Sequence, residues 1–202
     1  MTDSDLAGAL RRLDEITRRL RVECPWDREQ DERSIVPHTV EEAYELADAA
    51  HAGDDAKLVD ELGDVLFQVY FLSLLLEERG QGSLARVADH VREKLIRRHP
   101  HVFGDRAADS AGDVVRNWNQ IKRDDERGGE IFGELPQTLP STLYAKKVLK
   151  RARAAGHALG DGREDPGERL LAAVRDAVDA GVDPELALRR AADRFKEQVE
   201  AD

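Results

Sequence analysis

Ala56 to Arg79 reads AKLVDELGDVLFQVYFLSLLLEER, and its apolar residues recur at three- and four-residue spacing without a break. Leu58, Leu62, Val65, Leu66, Val69, Leu72 and Leu76 line one face of the helix this pattern predicts. Phe67, Tyr70, Phe71, Leu74 and Leu75 line most of another. A helix apolar around so much of its circumference has to be covered on more than one side. A chain of 202 residues supplies few covering helices, so a second subunit is a natural source.

Amphipathic helices are expected on both sides of this one. Leu6, Leu10, Leu13 and Leu20 predict a helix over about residues 4–20, followed by a loop at Cys24-Pro25-Trp26-Asp27. Pro37 and Thr39 are expected to start a second helix, with Thr39 as N-cap and Glu42 at the capping-box position, running to about His51. Gly53-Asp54-Asp55 then turns the chain into the apolar helix. Leu84, Val87, Ala88, Val91 and Leu95 predict a fourth helix that stops before Pro100. A loop at 104–113, a short helix at 114–123, a basic helix at 142–155, a linker at 156–167 and two last helices at 168–179 and 184–199 complete the chain. No strand pattern competes, so the class is all-α, a helical bundle dimerising through its core helices.

Composition agrees: 41% of residues are hydrophobic, 36% charged and only 5% aromatic, a balance that favours helices over sheet. No apolar run reaches membrane-spanning length, and the N-terminus is acidic, so neither a membrane helix nor a secretory signal is expected. The single Cys24 fits a reducing compartment, and the expected location is the cytoplasm. Net charge is −11. Between Glu41 and Asp64 nine acids stand against one base, Lys57, which repels a nucleic-acid backbone and attracts divalent cations. Arg92, Lys94, Arg97 and Arg98 form an opposite, basic patch. The pair of patches suits a metal together with a polyanionic ligand; two solvated helix faces have the same charges.

Glu41, Glu42 and Glu45 spell E-E-x-x-E, and Glu61 and Asp64 spell E-x-x-D. Residues three or four apart share a helix face, and the short turn at 53–55 makes the two helices antiparallel neighbours. Four carboxylates can then meet across the pair, an unfavourable grouping unless a cation neutralises it. Hard oxygen donors with no His or Cys at zinc spacing select Mg²⁺, with Mn²⁺ as a substitute. Taken alone, Glu42 serves equally well as a capping residue, and a single E-x-x-D is usually just solvated.

Five blocks carry a resemblance. Cys24-Pro25-Trp26-Asp27, Thr39-Val40-Glu41-Glu42-Ala43-Tyr44-Glu45, Glu61 through Val69, Arg97-Arg98-His99-Pro100-His101-Val102-Phe103 and Asn117-Trp118-Asn119-Gln120-Ile121-Lys122 stand in the order found in the MazG family of nucleoside triphosphate pyrophosphohydrolases, which the chain resembles from Leu20 to about Lys150. The resemblance implies a dimerising bundle with Mg²⁺ held by Glu42, Glu45, Glu61 and Asp64, and Glu41 nearby. It implies further that Lys57, Lys94 and Arg98, with Arg97 adjacent, hold the triphosphate, and that Trp118 and Lys122 contact the nucleotide. The physics is compatible: a triphosphate needs counter-charge away from the metal, Arg forks onto phosphate oxygens, and a Trp face stacks on any base. Trp118 as a core aromatic, and Trp26 as a structural partner of Pro25, are the plainer readings. His99 and His101 flank Pro100, where they shape a helix end or touch phosphate.

The expected reaction is metal-assisted hydrolysis of ribo- or deoxyribonucleoside triphosphates to a monophosphate and pyrophosphate, with a water proton passing to one of Glu41, Glu42 and Glu45. A relative narrowed to a pyrimidine or oxidised purine deoxynucleotide is the enzymatic alternative. A nucleotide-sensing or partner-binding helical protein is the alternative of another class. Neither nucleic acid nor a membrane is an expected partner. The catalytic domain is expected over 1–140. Residues 141–202 resemble a degraded second copy: Asp165-Pro166-Gly167-Glu168 stands where E-L-G-D is expected, and no E-E-x-x-E helix precedes it.

Overall fold

In the computed structural model, the described residues are 5–126, 131–132, 134–136, 138–157 and 165–201. They form helices and no strand: α1 (Leu6–Glu23), α2 (Pro25–Glu29), α3 (Glu32–Ala52), α4 (Asp55–Glu78), α5 (Leu84–Arg98), α6 (Pro100–Phe103), α7 (Ala111–Glu126), α8 (Ser141–Ala154), α9 (Pro166–Asp179) and α10 (Pro184–Ala201). The all-α expectation holds. No helix among the described residues is long and apolar enough to cross a membrane. The chain divides into two compact units, 1–97 and 98–202.

Two local expectations are corrected. The stretch Cys24 to Asp27 is not all loop: Cys24 is extended, and Pro25, whose missing N–H costs nothing at a helix start, opens the short helix α2. The second expected helix begins seven residues before Thr39. Asp31 caps it, accepting from the Arg33 and Ser34 amides at 2.8 and 2.9 Å, while Ser34 returns a contact to the Asp31 amide. Pro37 lies inside α3 and forfeits one helix bond rather than ending the helix. Thr39 is therefore mid-helix, and Glu42 is released from any capping role.

The first unit is built on the α3–α4 pair. Gly53 closes α3 with φ +70°, the left-handed conformation that a β-carbon disfavours. Asp54 then caps α4, accepting from the Ala56 and Lys57 amides at 3.1 Å each. This turn sets the two helices antiparallel. Ile35 of α3 is buried against Phe71 and Leu75 of α4, with Phe67 and Leu72 packed around them. One turn closer to the helix–helix turn, the Thr39 hydroxyl lies 3.4 Å from Gln68 Oε1, satisfying a buried amide at the interface.

Helix α1 fastens the far end of α4. Arg18 donates to both carboxylate oxygens of Glu77, at 3.1 and 2.8 Å, and to Asp14 at 2.9 Å. Arg21 forks onto Glu78 at 2.9 Å twice, and its remaining donors reach the carbonyls of Asp27 and Gln30 at 2.5 and 3.0 Å. Paired forks are more specific than single exposed ion pairs. The chain's own helices thus bury Tyr70, Phe71, Leu74 and Leu75, while Val59, Leu62, Leu66 and Val69 form an exposed stripe on another face of α4.

In the second unit α8, α9 and α10 pack together. Asp183 holds the Glu185 and Leu186 amides at the start of α10 and pairs with Lys146 of α8. Thr142 of α8 hydrogen-bonds Glu185. Val174 is buried at the centre of this group.

Candidate active site

The Gly53 turn and the packing of Ile35 fix the register of α3 on α4, and that register brings acids together. One carboxylate oxygen each from Glu42, Glu45 and Glu61 lies within 4.8 Å of the others. An all-carboxylate set is the donor chemistry that suits a hard divalent cation.

The cluster is electrostatically strained. Glu61 is only 4% exposed. Burial, then the charge of Glu45, push its carboxyl above the ordinary range, with Asp60 and Asp64 adding to the shift and Lys57 opposing it. Glu42 is raised too, first by burial and then by Asp64, Glu45, Glu61 and Glu41. Asp64 thus stands outside the tight triad but within its electrostatic reach. Lys57 Nζ is 3.9 Å from Glu61 Oε1, and Glu41 is exposed beside His38, whose Nδ1 is 3.8 Å from it.

The expected phosphate and nucleotide residues fall on later elements. Lys94 is half-buried and Arg97 exposed on α5. Arg98, the last residue of α5, is 5% exposed. Its guanidinium carbon lies 5.4 Å from the ring centre of Trp118, on α7. His99 meets the same ring edge-on at 4.8 Å, and His101 is 5.5 Å from His99. Arg98, His99 and Trp118 therefore form one cluster within the second unit. The side chain of Lys122 lies outside the described residues.

Trp26 departs from its reading as a partner of Pro25. It is 51% exposed and meets His38 edge-on at 5.8 Å. The signal available in the sequence was the spacing of His38, four residues before Glu42 and on the same helix face, once α3 is known to start before Pro37.

Comparison with known proteins follows the same blocks. A family model described as the MazG nucleotide pyrophosphohydrolase domain matches residues 30–103, which hold every expected acid together with Lys57, Lys94, Arg97 and Arg98. A 26.1 kDa protein of Streptomyces cacaoi, itself uncharacterized, is 41% identical over 98% of this chain and 84% of its own length. The nucleoside triphosphate pyrophosphohydrolase of Escherichia coli K12 is 32% identical over 86% of this chain and 78% of its own. The nucleoside triphosphate pyrophosphohydrolase/pyrophosphatase MazG of Thermotoga maritima is 34% identical over 87% and 77%.

Proposed function

From its membership of the MazG family, which makes this chain a nucleoside triphosphate pyrophosphohydrolase, we propose that it splits ribo- and deoxyribonucleoside triphosphates broadly, in a Mg²⁺-dependent reaction, to a monophosphate and pyrophosphate. The observation that carries this reading is the Glu42–Glu45–Glu61 triad, three carboxylates brought close enough that a divalent cation between them would relieve their mutual repulsion.

Glu42, Glu45, Glu61 and Asp64 would hold the ion. Mg²⁺ bound there supplies a Lewis acid that neutralises phosphate charge and makes water a better nucleophile at neutral pH. Among Glu41, Glu42 and Glu45, one carboxylate takes the proton as water adds to phosphorus and the α–β anhydride bond breaks. Lys57, Lys94, Arg97 and Arg98 hold the phosphates and stabilise the charge that collects on the departing pyrophosphate. Trp118 carries Arg98 against its ring and, with Lys122, contacts the nucleotide.

The exposed stripe Val59, Leu62, Leu66 and Val69 supports a homodimer in which α4 meets its symmetry mate. Residues 1–140 hold the chemistry, 141–202 are a non-catalytic remnant, and the single Cys24 fits a cytoplasmic enzyme. A pyrophosphate-release assay across the common triphosphates, with and without Mg²⁺, tests the reaction. Turnover that persists in chelator, or no pyrophosphate from any triphosphate, would sink it. Light scattering tests assembly, and a monomer would refute the packing argument.

A further inference from the structure

We propose that Gln68 and Thr39 are positioning residues that hold α3 and α4 in the register at which Glu42 and Glu45 meet Glu61. This rests on the acid cluster being the metal site. Ile35, Thr39, Glu42 and Leu46 step by four, three and four residues along α3, and Glu61, Val65, Gln68 and Leu72 do so along α4. All eight are buried or half-buried. This is the spacing of a coiled-coil seam, and the two seams meet in layers. Ile35 packs on Phe71 and Leu75, Thr39 meets Gln68, and Glu42 and Glu45 meet Glu61.

The outer two layers do not fix this register. Packing of Ile35 on Phe71 and Leu75 is non-directional, so a slide of one residue, about 1.5 Å, retains much of it. Carboxylates without a cation repel, and a slide relieves them. The middle layer is directional. The Thr39 hydroxyl donates to the Gln68 amide oxygen at 3.4 Å, and Gln68 is only 6% exposed. Sliding breaks that bond and leaves a buried amide without its partner, a penalty the apolar layer does not impose. A polar pair inside an apolar seam gives up stability and in return specifies register. Glu42 follows Thr39 by three residues and Glu61 precedes Gln68 by seven, so register set at the pair passes directly to the acids. The second unit supplies a contrast. Aligned on Gly63 and Gly167, α9 has Ala172 at the position of Gln68, and its neighbour α8 carries no acid. Where there are no acids to align, the amide is gone.

In the Gln68→Leu protein the Thr39 hydroxyl keeps the Ile35 carbonyl, 3.5 Å away, so no buried group is orphaned. The variant should fold, with a melting temperature in chelator no lower than the parent's. With the competent register reduced to about one molecule in ten, Mg²⁺ titrated calorimetrically without nucleotide should bind about 10-fold more weakly. The ion itself selects the competent register, so kcat lost at low Mg²⁺ should return to the parent's at saturating Mg²⁺. Thr39→Ser, which keeps the hydroxyl, should bind Mg²⁺ as the parent does, and Thr39→Val should not. Combining Thr39→Val with Gln68→Leu should weaken Mg²⁺ binding no further than Gln68→Leu alone, since the pair acts as a unit. Unchanged Mg²⁺ affinity in Gln68→Leu overturns the proposal. So does a turnover defect that persists at saturating Mg²⁺, which would set Gln68 against substrate rather than behind the acids. Should Gln68→Leu fail to fold, the comparison of Thr39→Ser with Thr39→Val decides alone. No Mg²⁺ binding by the parent would instead remove the acid-site reading underneath, and this proposal with it.

Discussion

Aligned on Gly63 and Gly167, the run Glu61 to Tyr70 of α4 and the run Asp165 to Val174 of α9 match acid for acid at both ends of E-x-x-D, and leucine for leucine at Leu66 and Leu170. Two of the aligned pairs also share their burial, with Tyr70 and Val174 inside and Leu66 and Leu170 outside. The chemistry does not. Glu61 sits two turns into α4, buried opposite Glu42 and Glu45. Asp165 precedes α9, because Pro166 opens that helix, and its carboxylate accepts the Glu168 amide at 3.0 Å. The helix packed on α9 differs in sign: α8 carries Lys146, Lys147, Lys150, Arg151 and Arg153 where α3 carries glutamates. An acid becomes a candidate ligand by its place in a helix and by what faces it, not by its motif alone.

The largest test of that contrast is turnover. Glu45→Ala or Asp64→Ala should lower kcat by about 10³-fold or more, the scale of several kcal/mol of metal-borne stabilisation. Asp165→Ala and Glu168→Ala should leave kcat within about two-fold of the parent. Pyrophosphate release measures both, and a comparable loss in the α9 variants would restore chemistry to residues 141–202.

Next in size is the response to the ion. Mg²⁺ at about 100 times its dissociation constant should raise parent stability by about 2.7 kcal/mol, and Glu45→Ala should erase most of the gain. Calorimetry of the parent, Glu45→Ala and Asp165→Ala separates the two acid pairs, since the Asp165 variant should keep the full Mg²⁺ response.

Asp183 makes the complementary case in the second unit. Against the desolvation of partial burial, Lys146 and the Leu186 and Glu185 amides hold its carboxyl below the ordinary range. Asp183→Ala should cost about 1–2 kcal/mol through the lost cap and ion pair, with kcat unchanged at temperatures where the protein stays folded. A loss of turnover without a loss of stability would contradict a purely structural role for residues 141–202.

The smallest effect is in the pH dependence of stability without divalent ions. Glu42 and Glu61 have raised folded-state values, so their contribution is present below the ordinary carboxylate range and is lost as pH climbs through the raised values. Glu61→Gln removes one of the crowded charges. Its melting temperature should therefore gain on the parent's as pH rises out of the ordinary carboxylate range, and Mg²⁺ should cancel the gain by restoring the parent. A constant difference over that rise would mean the acids are not strained.

Local sequence was enough for the helical class, the antiparallel turn at Gly53 and the two acidic motifs, because periodicity, left-handed glycine and charge spacing act over a few residues. The helix boundaries show where that reach ends. Thr39 with Glu42 and Asp31 with Ser34 both spell plausible caps, and the choice went to Asp31 because Ile35 of the extra turns packs against Phe71 and Leu75. That shift moved Glu42 from a cap to the acid cluster and put His38 on the same edge. Burial of Glu61, the outlying position of Asp64, the exposure of Trp26 and the capping role of Asp165 are likewise products of packing between elements distant in the chain. A motif specifies which groups are present and on which helix face. Only the tertiary fold fixes which of them lose water and which charges stand opposite, and those two quantities separate a strained carboxylate cluster from a helix cap.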